Sequence, residues 1–277
     1  MRFWGMFRFT FGEAIRKGTL IFYFSVATII ILFFGFALGH PADDPNMISM
    51  FGKPFAPQQS SGFNIAEMIL IQLHSSSVFW IILFGIFGVA GLVPSMLEKG
   101  TIDLFMSKPL HRAEILLARS LGATAGIAAN LFYFFVGIWL VFGIKLGVWH
   151  WAFLSSSLYV VFAFACLFSV VAIAGLTTRS SGFSILLTIV YLFIASLLEG
   201  REHFLFRLSD NTIYHNIING LYYITPQISG MLNNSSRIIG NNPMSPVEFT
   251  ILPFVYSLGS TALLYGLASW YFMKKDF

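Results

Sequence analysis

The stretch Thr19-Leu-Ile-Phe-Tyr-Phe-Ser-Val-Ala-Thr-Ile-Ile-Ile-Leu-Phe-Phe-Gly-Phe-Ala-Leu-Gly39 contains no charged side chain. A bilayer core about 30 Å thick needs about 20 mostly apolar residues to be crossed as a helix. Thr19–Gly39 meets that length, and the rest of the chain repeats the pattern. Further apolar stretches run from about Gln72 to Met96, Leu121 to Ile144, Ala152 to Leu176, Phe183 to Leu198 and Phe249 to Met273. The expectation is an all-α integral membrane protein with six transmembrane helices, forming one integral domain over residues 1–277. Phe183–Leu198 is the shortest stretch, and Ser and Thr on its flanks extend it.

Composition leads to the same class. The chain is 57% hydrophobic and 10% charged, with 32 Phe, where a soluble domain carries about 25% charged residues. So much apolar surface is beyond what a soluble core of this length can bury. The net charge is +4, but the basic residues are scattered, which points away from a nucleic-acid partner. The lone cysteine, Cys166, excludes an intrachain disulfide and a cysteine metal cluster. Ala37-x-Gly39 resembles a signal cleavage site, yet the apolar stretch before it exceeds the 7–15 residues of a signal core.

Positive charge sets the expected orientation. With the N-terminus cytoplasmic, the inside segments hold Arg2, Arg8, Arg16, Lys17, Lys99, Lys108, Arg112, Arg119, Arg179, Lys274 and Lys275. The outside segments hold Lys53, Lys145, Arg201, Arg207 and Arg237. Six spans also return the C-terminus to the cytoplasmic side, so both termini are expected there.

Residues 1–18 have their own pattern. On a helical wheel Phe3, Trp4, Phe7, Phe11, Ala14 and Ile15 share one arc and Arg2, Glu13, Arg16 and Lys17 lie opposite, while Met6 and Phe9 break it. This pattern reads as a helix lying in the cytoplasmic interface or as an ordinary charged flank of the first span. Residues 40–66, with Pro41, Pro45, Pro54 and Pro57, read as an irregular outer loop. Residues 199–248 read as an outer loop with short helices, interrupted at Pro226, where Tyr222 and Tyr223 suit the membrane surface.

Chemistry-bearing motifs are sparse. There is no G-x-x-x-x-G-K-[ST] loop for ATP and no H-E-x-x-H or comparable metal spacing. His74 near the outer end of the second span reads as a hydrogen-bonded interfacial residue or a ligand. Asn130 on the third span reads as a helix–helix hydrogen bond. Gly85, Gly88, Gly122 and Gly126, with other small residues beside them, read as sites of close helix packing.

The informative link lies between the second and third spans, residues 95–119. Gly100 ends or bends the preceding helix. Thr101 caps a short new one with Leu104 and Phe105 on its apolar side. Pro109 ends that helix, and Arg112–Arg119 lead back to the membrane. Such a segment presents a short helix to the cytoplasm. It also resembles the loop of ABC type-2 exporter permeases, with a pattern of roughly E-x-G-T-x-x-x-L-x-S-x-P-x-x-R. Glu98, Gly100, Thr101, Ser107, Pro109 and Arg112 match. Phe105 stands where that family usually has Leu, and Ala118-Arg119 where it often has Gly-Lys. The layout is also similar to the permease that serves nitrous oxide reductase maturation.

The resemblance implies a non-catalytic subunit. The six matching residues would form a coupling element docked in a groove of a separate ATPase, which holds the ATP and magnesium. Two ATPase copies and a second permease copy would complete a transporter, and this chain would bind no cofactor or metal itself. An exported amphiphilic or hydrophobic substrate fits the aromatic-rich spans. A membrane anchor or assembly subunit without transport would share the layout. An intramembrane enzyme would need acid, base or metal ligands converging at one depth, and the sequence offers none.

Overall fold

The computed structural model describes residues 2–41, 47–57, 59–60, 63–98, 111–240 and 250–274. Helices dominate them. They are α1 Arg2–Arg16, α2 Gly18–Ala37, α3 Ile65–Val89, α4 Leu92–Ser95, α5 Arg112–Leu146, α6 Trp151–Thr178, α7 Ser181–Glu199, α8 Thr212–Ile224, α9 Ile228–Ile239 and α10 Leu252–Lys274, with a 3-10 turn at Phe206–Leu208.

Among the described residues, five helical segments are long and apolar enough to cross a membrane: Gly18–Ala37, Ile65–Ser95, Arg112–Leu146, Trp151–Thr178 and Ser181–Glu199. The chain therefore has the build of a polytopic helical membrane protein. Helix α10 has 23 residues, which is long enough, but Ser, Thr, Tyr and Gly dilute its apolar character. The first segment lies within a residue or two of its expected bounds. The second begins at Ile65, seven residues before Gln72, because Ile65, Ala66, Met68 and Ile69 continue the apolar pattern through the predicted loop.

Helix α6 is the centre of the bundle. Its buried side chains include Val160, Phe164, Cys166, Leu167, Phe168, Val171 and Leu176, and α3, α5, α7, α9 and α10 pack around it. Helices α2 and α7, by contrast, bury only a narrow stripe and leave Phe22, Ile29, Phe36, Phe183 and Phe193 exposed. In lipid those apolar faces meet a solvent as apolar as themselves, so their exposure is no defect.

At 1.5 Å per residue, the 35 residues of α5 run about 52 Å, about 20 Å more than the hydrocarbon core. One end must therefore project or the helix must tilt. The first turns, Arg112 to Ser120, carry its charges except Lys145. The far end closes at Gly147, in the left-handed conformation (φ +67°), whose N–H donates to Gly143 O at 3.1 Å. Trp149 folds back so tightly that a Cβ on Gly143 would lie 2.5 Å from its ring.

The segment after α2 corrects an expectation. Residues 38–64 are not wholly irregular. Leu38–Gly39 (β1), Met47–Met50 (β2) and Lys53–Pro57 (β3) form an antiparallel sheet in the order β1-β2-β3. Gln59–Ser60 (β4) pairs with Phe63–Asn64 (β5). The β2–β3 turn places both Phe51 (φ +51°) and Gly52 (φ +76°) in the left-handed region, as a two-residue hairpin of type I′ requires. A bulge between Ile48 and Ser49 lets Pro54 sit opposite Ser49, which is how a proline is carried by so short a sheet.

Helices α8 and α9 fall where the 199–248 segment was expected to hold short helices. The break between them contains Pro226, and the Gln227 N–H donates to Ser257 Oγ at 2.8 Å, tying the start of α9 to α10.

Candidate functional site

Helix α1 lies along the first half of α5, and glycine makes the approach. A Cβ on Gly122 would stand 2.8 Å from Thr10 Cβ and 2.9 Å from Phe7 O, and one on Gly126 would stand 2.9 Å from Ala14 Cβ. The buried stripe of α1 is thus Met6, Thr10 and Ala14, spaced by four. Of these only Ala14 belongs to the apolar arc seen in the sequence. Phe3, Trp4 and Phe9 are exposed, and Trp4 stacks on Phe7 with ring centroids 4.7 Å apart. Small side chains rather than large apolar ones mark the packed face, because close backbone approach is what binds helices when water is not the solvent.

The other two glycines pack elsewhere. A Cβ on Gly85 would meet the Phe164 ring at 2.7 Å, which fits α3 against α6. Gly88 faces Leu20 of α2 and Ile127 of α5 at 3.5 and 3.8 Å.

At the same end of the bundle stands a residue that the sequence did not single out. Arg119 is buried to within 1% of its surface and forms an ion pair with Glu13 at 3.2 Å. Its Nε and Nη2 both donate to Leu92 O, at 3.0 and 2.6 Å, and Nη2 also donates to Ser95 Oγ at 3.2 Å. One guanidinium therefore joins α1, the short helix α4 that ends the second apolar segment, and α5. Burial of an unpaired guanidinium would be prohibitive, whereas this one has a carboxylate and carbonyl acceptors. Lys17 borders the cluster. Burial is the main cause that depresses its ammonium pKa, with Arg119 acting in the same direction and Glu13 opposing.

Of the six residues that match the permease loop, Gly100, Thr101, Ser107 and Pro109 lie outside the described residues. Glu98 is exposed, just beyond α4. Arg112 opens α5, and its Nη1 donates to Phe272 O at 2.8 Å and to Met273 O at 3.3 Å, with the guanidinium over the Phe272 ring. It thereby caps the last carbonyls of α10. The His111 N–H donates to Glu114 Oε2 at 3.2 Å and steadies the same helix start. The two flanks of residues 99–110 are thus anchored to α1, α5 and α10, close to the Arg119 cluster.

Two cavities occupy other parts of the molecule. An apolar groove of about 280 Å³ lies among α2, α3 and α5, lined by Tyr23, Ala27, Ile30, Trp80, Phe84, Asn130 and Phe134 among others. Asn130, expected to bridge helices, is buried, but its amide nitrogen has no hydrogen-bond partner among the described residues. A polar cavity of about 520 Å³ lies among α3, α7 and α9. Helix α9 contributes Ser229, Leu232, Asn233, Ser236 and Arg237, the residues of a single face, and α7 contributes Ser196 and Glu199. His74 borders this cavity, with its ring edge-on to Phe135 at 5.5 Å and both nitrogens without a partner among the described residues. Beside the cavity the Tyr222 hydroxyl donates to Glu199 Oε2 at 2.9 Å. Burial, and then the neighbouring carboxylate, raise the Tyr222 pKa above the ordinary phenolic range.

Among the described residues no group of three or more His, Cys, Asp or Glu could hold a metal ion. No protein-family model matches the chain, and no curated protein matches it.

Proposed function

We propose that this chain is the membrane subunit of an ATP-driven transporter of the ABC type-2 exporter kind, moved by a separate ATPase that docks on residues about 95–113. In this reading α10 is the sixth span, α1 lies in the cytoplasmic interface, and both termini face the cytoplasm of a bacterial inner membrane. The chain itself is non-catalytic. Two copies, or this chain and a homologous one, pair with two ATPase subunits that carry the ATP and magnesium, and the cargo is an amphiphile.

The observation that carries the reading is the anchoring of the loop's flanks. A push on residues 99–110 reaches Ser95 and Leu92 on one side and Arg112 on the other. From there Arg119 and its acceptors pass it to α1 and α5, and Arg112 passes it to α10. A loop that only set topology would not need both ends tied to three helices by charged hydrogen bonds. The matching sequence at Glu98, Gly100, Thr101, Ser107, Pro109 and Arg112 supports the same assignment.

The test is to tag the C-terminus, extract the chain in mild detergent and identify what co-purifies. A one-to-one ATPase subunit with Walker motifs is the expected result, and its hydrolysis should respond to amphiphilic cargo. A chain that brings down other partners without any ATPase is an anchor instead, and the transporter reading fails.

A further inference from the structure

The polar cavity among α3, α7 and α9 is unusual for its place. Helix α7 has 19 residues, about 28 Å at the helical rise, so its last turn stands one membrane thickness from its first. Ser196 and Glu199 are on that last turn. The cavity therefore opens at the level of a membrane surface, where lipid headgroups stand. Phe193 is exposed one turn before on the same helix, and Phe79 of α3, also exposed, lines the cavity itself, an apolar side that suits an acyl chain.

The lining carries one anionic and one cationic side chain, Glu199 and Arg237. They share the cavity, yet no ion pair joins them among the described residues: Glu199 accepts from Tyr222, and Arg237 Nη1 donates to Asn234 Oδ1 at 3.3 Å. The Glu199 carboxylate lies against Gly230 at the start of α9, and Arg237 is seven residues further along, about 10 Å at the helical rise, so the two charges face the cavity at different heights. Hydroxyl and amide groups of Ser229, Asn233 and Ser236 line the space. A ligand that spans the two charges must carry both signs, with the cation toward Glu199 and the anion toward Arg237. Serine and asparagine groups supply further hydrogen bonds to phosphate oxygens.

We infer that this cavity binds a zwitterionic phosphate–ammonium group, the chemistry of an aminophospholipid headgroup or of a free amino-alcohol phosphate. An ammonium that retains N–H donors hydrogen-bonds Glu199, and a quaternary one cannot. The site belongs to the isolated chain and does not depend on an ATPase partner, so it stands or falls apart from the transport reading.

The experiment uses the full chain in detergent and in nanodiscs, without nucleotide. Native mass spectrometry compares retention of phosphatidylethanolamine, phosphatidylcholine and phosphatidylglycerol, and calorimetry measures binding of soluble phosphoethanolamine. Phosphatidylethanolamine is expected to be held about tenfold more tightly than the other two, the worth of one charge-assisted hydrogen bond. Glu199→Gln, which still accepts from Tyr222, should erase the preference, and Arg237→Gln should weaken every phosphate-bearing ligand. If only phosphoethanolamine binds, the site is confirmed and its source is a free solute. Equal retention of all three lipids with no phosphoethanolamine binding overturns the site. So does a preference that both variants leave intact. Where Arg237→Gln lowers the melting temperature, the near-isosteric Glu199→Gln carries the result.

Discussion

Both ends of the helical bundle hold charge, but in opposite conditions. Around Arg119 the charge is buried and paired: the guanidinium is 1% exposed, joined to a half-buried Glu13 and bonded to Leu92 O and Ser95 Oγ. Around Glu199 and Arg237 the charges line an open space of about 520 Å³ and do not pair with each other. A sealed pair fixes three helices in one arrangement, because pulling the partners apart strands a charge. The two charges of the cavity are held by neutral neighbours, Tyr222 and Asn234, rather than by each other, so a ligand meets both without breaking an ion pair. One end of the molecule is built for rigidity and the other for reception.

The sharpest way to break that contrast is Arg119→Ala. It leaves Glu13 and the Leu92 carbonyl without their partner and empties a buried volume, so a loss of about 3–5 kcal/mol is expected, read as a large drop in melting temperature in detergent. Glu199→Gln at the open end should leave the same melting curve within about 0.5 kcal/mol. Equal losses at the two ends would remove the distinction.

Next in size is Gly122→Val. Its Cβ has no room beneath Thr10 and Phe7, and overpacking of this kind costs about 1–3 kcal/mol. Cysteine cross-linking between α1 and α5 would show α1 displaced. Gly5→Ala is the control, since nothing lies within 4 Å of its Cβ position.

Glu98→Ala sharpens the functional side. The residue is exposed, so protein level and melting temperature should not change, while transport falls and hydrolysis by the partner continues. Transport at the full rate would defeat the coupling role of that residue.

The smallest effect concerns Lys17. Its pKa is depressed in the folded chain, so between the folded value and the ordinary 10.5 the unfolded chain binds more protons than the folded one. Stability should then rise with pH across that window and fall back below it. Lys17→Met should flatten this slope, as followed by chemical denaturation between neutral and alkaline pH.

What could be read from the sequence was the set of apolar runs, since a long uncharged stretch has few other uses. The position of α9 was legible too, from the Pro226 break. The packed face of α1 was not. The wheel showed an aromatic arc suited to an interface but did not mark Met6, Thr10 and Ala14 as the face that packs on α5, because in a membrane protein apolar character no longer separates inside from outside. The Arg119–Glu13 pair joins residues 106 positions apart, and no periodicity or local motif relates them. A weak signal was present: Glu13 is the one acid on α1 and shares the sequence with a lone Arg just before Gly122. The strands after α2 escaped notice because each is two to five residues long and Pro41, Pro45, Pro54 and Pro57 interrupt the stretch. The outer cavity was hidden for a similar reason. Its faces come from three helices, and each alone looks like a serine-rich flank.

The clasp of α1 on α5 also bears on how the protein is made. A ribosome completes α1 more than one hundred residues before it reaches Gly122 and Gly126, the two positions that receive it. Until the third long apolar helix is synthesised and inserted, Glu13 has no arginine to hold and the stripe of Met6, Thr10 and Ala14 has nothing to lie against. Helix α1, made before α5, thus settles only after it. Its docking marks a chain whose translation has passed Gly126, and a product truncated before that point would leave α1 without the face it packs on.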